Sequence, residues 1–201
     1  ELLKAKALAP NDPDIENYLG MAYYGMQEYD LSEQSYKRAL ALDPKRTDVH
    51  NNLGLVYMAR NDYDQALAEF NLCLKDLVYQ KQYLPLTNIG LVYMMMGRLE
   101  EAMAPLMRAT EIAPDYAKSY LLIGQIYFRQ SRINDALNYL TNAARLNPND
   151  TETFMSLGDV YVQLGNAEEA AQSYSQVTQL ATNTPIALEA QKRARRVMGF
   201  E

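Results

Sequence analysis

A glycine followed three residues later by a tyrosine occurs five times, in phase, along this chain of 201 residues. The spacings between successive glycines are 34, 36, 34 and 34 residues. The five pairs are Gly20/Tyr23, Gly54/Tyr57, Gly90/Tyr93, Gly124/Tyr127 and Gly158/Tyr161. A period in this range indicates that one supersecondary unit is repeated, and that each unit buries its apolar face only against its neighbours.

Two further positions repeat in phase with the glycine. Twelve residues after each glycine comes a small side chain, and four residues later a large one. The small ones are Ser32, Ala66, Ala102, Ala136 and Ala170, and the large ones are Tyr36, Phe70, Leu106, Leu140 and Tyr174. Three units then end at a proline, which cannot continue a helix: Pro44, Pro114 and Pro148. Because small residues let two helix backbones approach closely, the pattern predicts pairs of antiparallel helices.

This pattern resembles the tetratricopeptide repeat and covers nearly the whole chain. The resemblance implies an all-α fold, a right-handed α-solenoid of antiparallel helix pairs with a C-terminal capping helix. The five repeats are expected at residues 13–46, 47–82, 83–116, 117–150 and 151–184. Residues 1–12 match the second helix of a truncated repeat, so we expect a fragment or a processed chain. Residues 185–201 are expected to form the capping helix and tail, with Thr184 as the N-cap and Pro185 in the first turn.

Two places depart from a regular repeat. The second repeat is two residues longer than the others and lacks the closing proline, reading LKDLVYQKQYLPL over residues 74–86. Either a longer turn or an extended helix would accommodate the insertion, since loops absorb extra residues at little cost. Pro105 falls inside an expected second helix and should kink it, because proline removes one backbone hydrogen bond.

Composition argues against several classes of function. The net charge of −6 and the pI near 4.9 disfavour nucleic-acid binding, which needs clustered Lys and Arg. No apolar run approaches the roughly 18 residues of a membrane-spanning helix, so no direct membrane span is expected. The single cysteine excludes an internal disulfide framework.

The sequence also offers little from which to build an active site. The only histidine, His50, stands at a repeat position that favours packing between helices, and Cys73 stands where three other repeats have alanine. No phosphate loop, metal-spaced ligand set or dinucleotide fingerprint is present. The acidic pairs Glu100–Glu101 and Glu168–Glu169 are expected to open second helices, where the helix dipole favours them. We therefore predict a protein that is not an enzyme, with no catalytic residues, no metal and no cofactor.

In tetratricopeptide proteins the first helices of successive repeats line a concave groove, and the resemblance carries this role to matching positions here. The residues expected to contact a protein partner are Asn17, Met21, Tyr24, Asn51, Leu55, Met58, Leu91, Met94, Met95, Leu121, Gln125 and Phe128. The middle of this set is apolar, and a contiguous apolar surface containing adaptable methionines is typical of a binding site. The alternative is that these side chains pack on one another along a tightly wound superhelix. In the stretch GLVYMMMG, we expect Met94 and Met95 to touch a partner and Met96 to pack internally.

A more specific kind of groove is disfavoured. Tetratricopeptide co-chaperones that grip a C-terminal carboxylate carry a set of lysines and asparagines at fixed groove positions. Here Asn52 and Lys118 match that set, but Asn17 and Asn51 stand where a lysine belongs. The carboxylate clamp is therefore incomplete.

The last expected helix carries four cations within five residues: Lys192, Arg193, Arg195 and Arg196. A solvated outer face that complements the helix C-terminus explains such a run. Contact with an acidic partner or an anionic membrane surface is the alternative.

The segment from Asn51 to Tyr93 is similar to the corresponding repeats of the pilotin lipoproteins of bacterial type IV pili. In that family an Asn-Asn-x-Gly repeat precedes a lengthened turn containing Tyr-Pro, and an Asn-x-Gly-Leu repeat follows. Here residues 51–54, Tyr79 and residues 88–91 keep that order, with Gln80 in place of the proline.

The pilotin resemblance implies a lipid anchor upstream of this chain and a location at the periplasmic face of the outer membrane. It also implies a role in assembling the secretin, the outer-membrane ring through which pili exit, so the partner would be a secretin subunit. The competing hypothesis is a generic assembly scaffold or co-chaperone, cytoplasmic or periplasmic, unrelated to pili. The oligomeric state does not follow from the sequence.

Overall fold

The structure, a computed structural model, describes residues 1–200. Those residues form twelve α-helices and contain no strand, which confirms the predicted all-α class. The helices are α1 (Leu2–Leu8), α2 (Pro13–Gly25), α3 (Tyr29–Leu42), α4 (Thr47–Ala59), α5 (Tyr63–Lys75), α6 (Tyr83–Met95), α7 (Leu99–Ile112), α8 (Ala117–Arg129), α9 (Ile133–Leu146), α10 (Thr151–Leu164), α11 (Ala167–Leu180) and α12 (Pro185–Val197). None of them is both long and apolar enough to cross a membrane.

The helices are grouped in two compact units, one ending at Pro105 and the other beginning at Leu106. In the first unit α2 packs on α3 and α4 on α5, and successive pairs also touch. In the second unit α8 packs on α9 and α10 on α11, and α12 packs on α11. Helix α7 runs through Pro105, and the kink expected there stays a prediction.

Four helix pairs are held together at the repeat's glycine, namely Gly20, Gly54, Gly124 and Gly158. A Cβ atom on Gly54 would lie 2.5 Å from the Phe70 ring, which is fully buried. A Cβ atom on Gly158 would lie 2.3 Å from the Tyr174 ring. The second helix thus lays its large side chain directly on the backbone of the first, as the sequence pattern predicts.

A common turn ends the first helix of each pair. One residue of the turn adopts the left-handed conformation, with φ between 59° and 76°: Gln27, Asn61, Gly97, Ser131 and Gly165. The next backbone N–H donates to the carbonyl oxygen of the repeat's tyrosine, at 2.9 Å for Glu28 and Tyr23. This hydrogen bond satisfies a carbonyl at the helix end and sends the chain back at once.

The insertion in the second repeat forms a longer turn, and the extended helix considered as an alternative is wrong. Helix α5 ends at Lys75 and α6 begins at Tyr83. Asp76 orders the loop between them, because its carboxylate accepts hydrogen bonds from the Val78 N–H at 3.1 Å and the Thr47 hydroxyl at 2.6 Å.

The last helix begins as predicted. The Thr184 hydroxyl accepts a hydrogen bond from the Ala187 N–H at 3.3 Å, and Pro185 occupies the first turn. Ala187 and Ala190 are buried, and the second of these belongs to a cluster with Tyr174 of α11. Helix α12 therefore covers the apolar face of α11.

Candidate partner-binding groove

The predicted partner contacts of the first unit lie on the first helices of its pairs, α2, α4 and α6. Helix α4 contacts both of its neighbours, so the three helices form one layer. Six apolar side chains among these predicted contacts stay at least partly accessible, and we call them the groove set: Met21, Tyr24, Leu55, Met58, Leu91 and Met95. Met21 is 51% exposed and Met95 is 45% exposed. A binding partner could therefore reach apolar surface along all three helices.

The three consecutive methionines have different environments. Met94 is only 5% exposed in the free chain, and its contact with a partner stays a prediction. Successive residues of a helix point about 100° apart, and this rotation turns Met94 inward while Met95 faces solvent. Met96 is half-buried and packs against the core cluster that contains Tyr57 and Val92, as expected for an internal residue.

Asn17 and Asn51 are also buried, at 6% and 7% exposed, and their role as partner contacts stays a prediction. Each faces the first helix of the next repeat and is used there. The Asn52 amide donates to the Asn17 side-chain oxygen at 3.3 Å, and the Asn88 amide donates to the Asn51 oxygen at 3.1 Å. We call these four residues the asparagine ladder. Asparagines at the fifth position of one repeat and the sixth position of the next are the sequence pattern from which this pairing could have been predicted.

Arg46, which is not among the predicted partner contacts, forms ion pairs with residues of both α2 and α4. The Arg46 guanidinium lies 2.6 Å from an Asp14 carboxylate oxygen and 2.9 Å from an Asp48 oxygen. Its hydrogen bonds hold the pKa of Asp48 below the usual value. Arg46 precedes helix α4, outside the positions that line the groove, so groove positions alone could not identify it. One positive charge thus bridges two carboxylates, and the cluster keeps a net negative charge.

In the second unit the predicted partner contacts are Leu121, Gln125 and Phe128. Leu121 is 1% exposed and belongs to a core cluster with Leu140 and Leu157, and its role as a partner contact stays a prediction. Its place in the helix is the one that holds Asn17 and Asn51 in the first unit. At this repeat position the side chain faces the neighbouring helix, whatever its polarity.

Gln125 and Phe128 remain partly accessible and line a shallow cavity of about 270 Å³. Glu152 lies on the same cavity, where it accepts hydrogen bonds from Gln125 at 3.0 Å and from Lys118 at 2.6 Å. Partial burial disfavours the charged form of Glu152, but these two hydrogen bonds outweigh it and hold its pKa below the usual value. Because Lys118 already has a carboxylate partner, it is not a free cation for a peptide terminus.

The titratable residues singled out in the sequence have structural partners. The His50 ring nitrogen Nδ1 lies 2.7 Å from a Glu69 carboxylate oxygen, so His50 makes a polar contact as well as packing. Cys73 is fully buried as predicted, and burial raises the pKa of its thiol to about 12. Among residues 1–200, no group of three or more His, Cys, Asp or Glu side chains is placed to hold a metal ion.

Solved structures with this fold come from proteins of different roles. PilF of Pseudomonas aeruginosa has 19% identity and a TM-score of 0.79, over 95% of this chain and 86% of its own. PilW, a widely conserved type IV pilus biogenesis factor, has 19% identity and a TM-score of 0.82, over 94% of this chain and 87% of its own. Tom70 of yeast has 17% identity and a TM-score of 0.83, over 98% of this chain but 42% of its own. At these identities the likeness shows the fold alone, and it confirms the predicted tetratricopeptide solenoid.

Family models identify the repeat directly. A comparison with curated protein sequences finds no match. The model described as Tetratricopeptide repeat matches residues 19–75 and 121–185, and the one described as TPR repeat matches residues 90–131. Together these matches span more than half of the chain. The chain therefore belongs to the tetratricopeptide repeat family, whose members are protein-interaction scaffolds.

Proposed function

We propose that this chain is a pilotin of type IV pilus biogenesis, which holds a secretin subunit on the groove set of its first unit. The observation that carries the proposal is the segment from Asn51 to Tyr93, with its lengthened turn between two asparagine-containing repeats. The structural likeness to PilW, which extends over 94% of this chain and 87% of PilW, supports it. In this role the chain is anchored by lipid at the periplasmic face of the outer membrane, outside the residues present here.

The groove set suits a client that must be kept from aggregating. A secretin subunit carries apolar surface destined for the membrane, and accessible Leu and Met side chains can cover such surface without a fixed shape. Tyr24 adds an aromatic side chain, which lies 5.8 Å from the ring of Tyr29. Apolar surface and adaptable side chains together favour binding of an unfolded or partly assembled subunit over a charged peptide end.

A capture experiment with a purified secretin subunit tests the site. We expect the double variant Met21→Asp, Met95→Asp to bind at least about tenfold more weakly, because each change places a charge on the apolar contact surface. Both side chains are about half exposed, so the fold should tolerate the substitutions. Loss of secretin capture with unchanged circular dichroism is the predicted result.

The matched control is Leu31→Asp, Leu72→Asp. These leucines are 41% and 38% exposed but lie on the second helices α3 and α5, away from the groove set. The control variant should capture secretin as the wild type does. Equal capture by both variants would show that the groove set is not the binding surface.

A generic scaffold or co-chaperone is the second candidate, because membership of the tetratricopeptide repeat family indicates protein binding without specifying the client. Capture from an extract of the source organism separates the two candidates. The dominant captured client could be a protein other than a secretin, and its capture could be lost in the Met21→Asp, Met95→Asp variant. That result would support the groove set as the binding surface but contradict the pilotin role.

A further inference from the structure

Helix α12 contains four of the chain's 19 Lys and Arg residues against a single carboxylate, Glu189. One of the four is used internally. The Arg193 guanidinium lies 2.7 Å from an Asp159 oxygen on α10 and 2.9 Å from a Glu189 oxygen. Asp159 also accepts a hydrogen bond from the Tyr174 hydroxyl at 2.7 Å. Arg193 therefore fixes α12 to its unit and is unavailable to a ligand.

The other three cations are Lys192, Arg195 and Arg196, and all are exposed. None of them forms an ion pair or a side-chain hydrogen bond with any of residues 1–200. Lys192 and Arg196 project from the side of α12 opposite to Ala187 and Ala190, which face α11, and Arg195 lies on the flank beside Lys192. Leu188 lies on the same outer side, one turn before Lys192, and is 55% exposed. The outer side of α12 thus combines a large apolar side chain with three cations that form no ion pair among the described residues, and the nearby Glu189 is already paired with Arg193.

The end of α12 adds an aromatic side chain to this surface. Gly199 adopts the left-handed conformation with φ of 75° and donates its N–H to the Arg196 carbonyl at 3.2 Å. The Phe200 N–H then donates to the Arg195 carbonyl at 2.9 Å, which completes a Schellman turn. This hydrogen bond fixes the Phe200 backbone directly after the last turn of the helix, and the Phe200 side chain is 67% exposed. We call Leu188, Lys192, Arg195, Arg196 and Phe200 the basic face.

We propose that the basic face docks the protein on an anionic phospholipid bilayer. Cations attract anionic headgroups, and exposed Leu and Phe side chains can enter the boundary between headgroups and acyl chains. The chain as a whole has a net charge of −6, so an anionic membrane would repel most of the protein surface but attract the basic face. The apolar residues among the cations favour a bilayer over a soluble acidic polymer. This inference goes beyond the groove and its client and does not depend on either.

Co-sedimentation of the purified chain with vesicles tests the proposal. Wild-type protein should bind vesicles of phosphatidylglycerol and phosphatidylcholine in equal parts, but not vesicles of phosphatidylcholine alone. Each cation near an anionic surface contributes about fivefold to the partition coefficient, so Lys192→Gln, Arg195→Gln, Arg196→Gln should weaken binding roughly 100-fold. The variant Leu188→Gln, Phe200→Ser should weaken it about tenfold while leaving the charge unchanged.

The matched control removes three exposed cations from the first unit, as Lys45→Gln, Lys75→Gln, Lys81→Gln. It changes the net charge by the same amount and should bind vesicles as the wild type does. An equal loss of binding in the control would overturn the proposal, as would wild-type binding that does not depend on phosphatidylglycerol. Binding to polyglutamate as strong as to vesicles, and unaffected by Leu188→Gln, Phe200→Ser, would identify an acidic polymer as the ligand instead. Because no secretin is present in this assay, failure here leaves the groove proposal standing.

Discussion

Replacing Gly54 by alanine should destabilise the protein, although alanine is the better helix former. Gly54 lies within α4, and a Cβ atom there would be 2.5, 2.8 and 2.9 Å from three atoms of the Phe70 ring. Relief requires the ring to move by about 1 Å, since carbon atoms in contact prefer 3.5–4.0 Å. Phe70 is completely buried, so its neighbours oppose that movement.

The expected size follows from two opposing terms. Overpacking of a filled core costs about 1–3 kcal/mol, and the cost should lie in the upper part of that range because the ring is enclosed. Exchange of glycine for alanine inside a helix returns about 1 kcal/mol. The free energy of unfolding should therefore fall by about 1–2 kcal/mol, measured by urea denaturation followed by circular dichroism.

A double-mutant cycle with Phe70→Ala tests the reason for this loss. Without the ring, alanine at position 54 meets no obstacle from it, so Gly54→Ala should then stabilise the protein by up to about 1 kcal/mol. Gly25→Ala is the control in the wild-type background, because no atom lies within 4 Å of the added Cβ. If Gly54→Ala destabilises the protein equally with and without Phe70, close approach of the two helices is not the cause.

Two further predictions concern buried ionisable groups. Glu16 is 1% exposed, with one carboxylate oxygen 2.9 Å from Lys6 Nζ and 2.8 Å from Arg38 Nε, so charge proximity compensates its burial. Glu16→Gln should lower the free energy of unfolding by about 1–2 kcal/mol, because both cations are partly exposed and can rehydrate, and it should speed hydrogen exchange in α1. The control Lys4→Gln removes an exposed ion pair and should change neither the stability nor the exchange. Unaltered exchange in Glu16→Gln would contradict the role of Glu16 in holding α1. Cys73 keeps its proton in the folded state up to a pKa of about 12, whereas the unfolded chain releases it from about pH 8.5. Since the folded state then holds more protons, its stability should be complete below pH 8.5 and fall above it, by up to about 1.4 kcal/mol per pH unit in urea titrations. Cys73→Ala introduces the residue that three other repeats carry at this position, and it should remove this fall of stability with pH. An equal fall in the wild type and in Cys73→Ala would refute its origin in the thiol.

The helix pairs could be predicted from the sequence because their contacts are encoded locally. Gly54 and Phe70 are 16 residues apart within one repeat, and the same spacing returns at Gly158 and Tyr174. Because the glycine and the large side chain keep a fixed separation, both partners of the contact can be identified from the sequence. The predicted burial of Cys73 was confirmed for the same reason, since other repeats have alanine there.

The accessibility of the groove residues could not be predicted as well. A repeat position tells which side of the helix a residue occupies, but the neighbouring helix decides how much of the side chain stays exposed. Met94 and Met95 differ in exposure, 5% against 45%, because of a single helical step. Arg193 and Asp159 are 34 residues apart, one in the capping helix α12 and the other in the repeat helix α10, so no pattern within one repeat predicts their pairing.

The asparagine ladder bears on how an array of this kind can change in length. Its two hydrogen bonds join residues 35 and 37 positions apart, and the difference equals the two residues inserted in the lengthened turn. The chain thus grew between two rungs without disturbing either of them. Duplication or deletion of a whole repeat would restore the same donor opposite the same acceptor. A shift of one helix by a turn would instead strand a buried amide. The ladder is therefore compatible with the gain or loss of complete repeats and incompatible with that of partial ones.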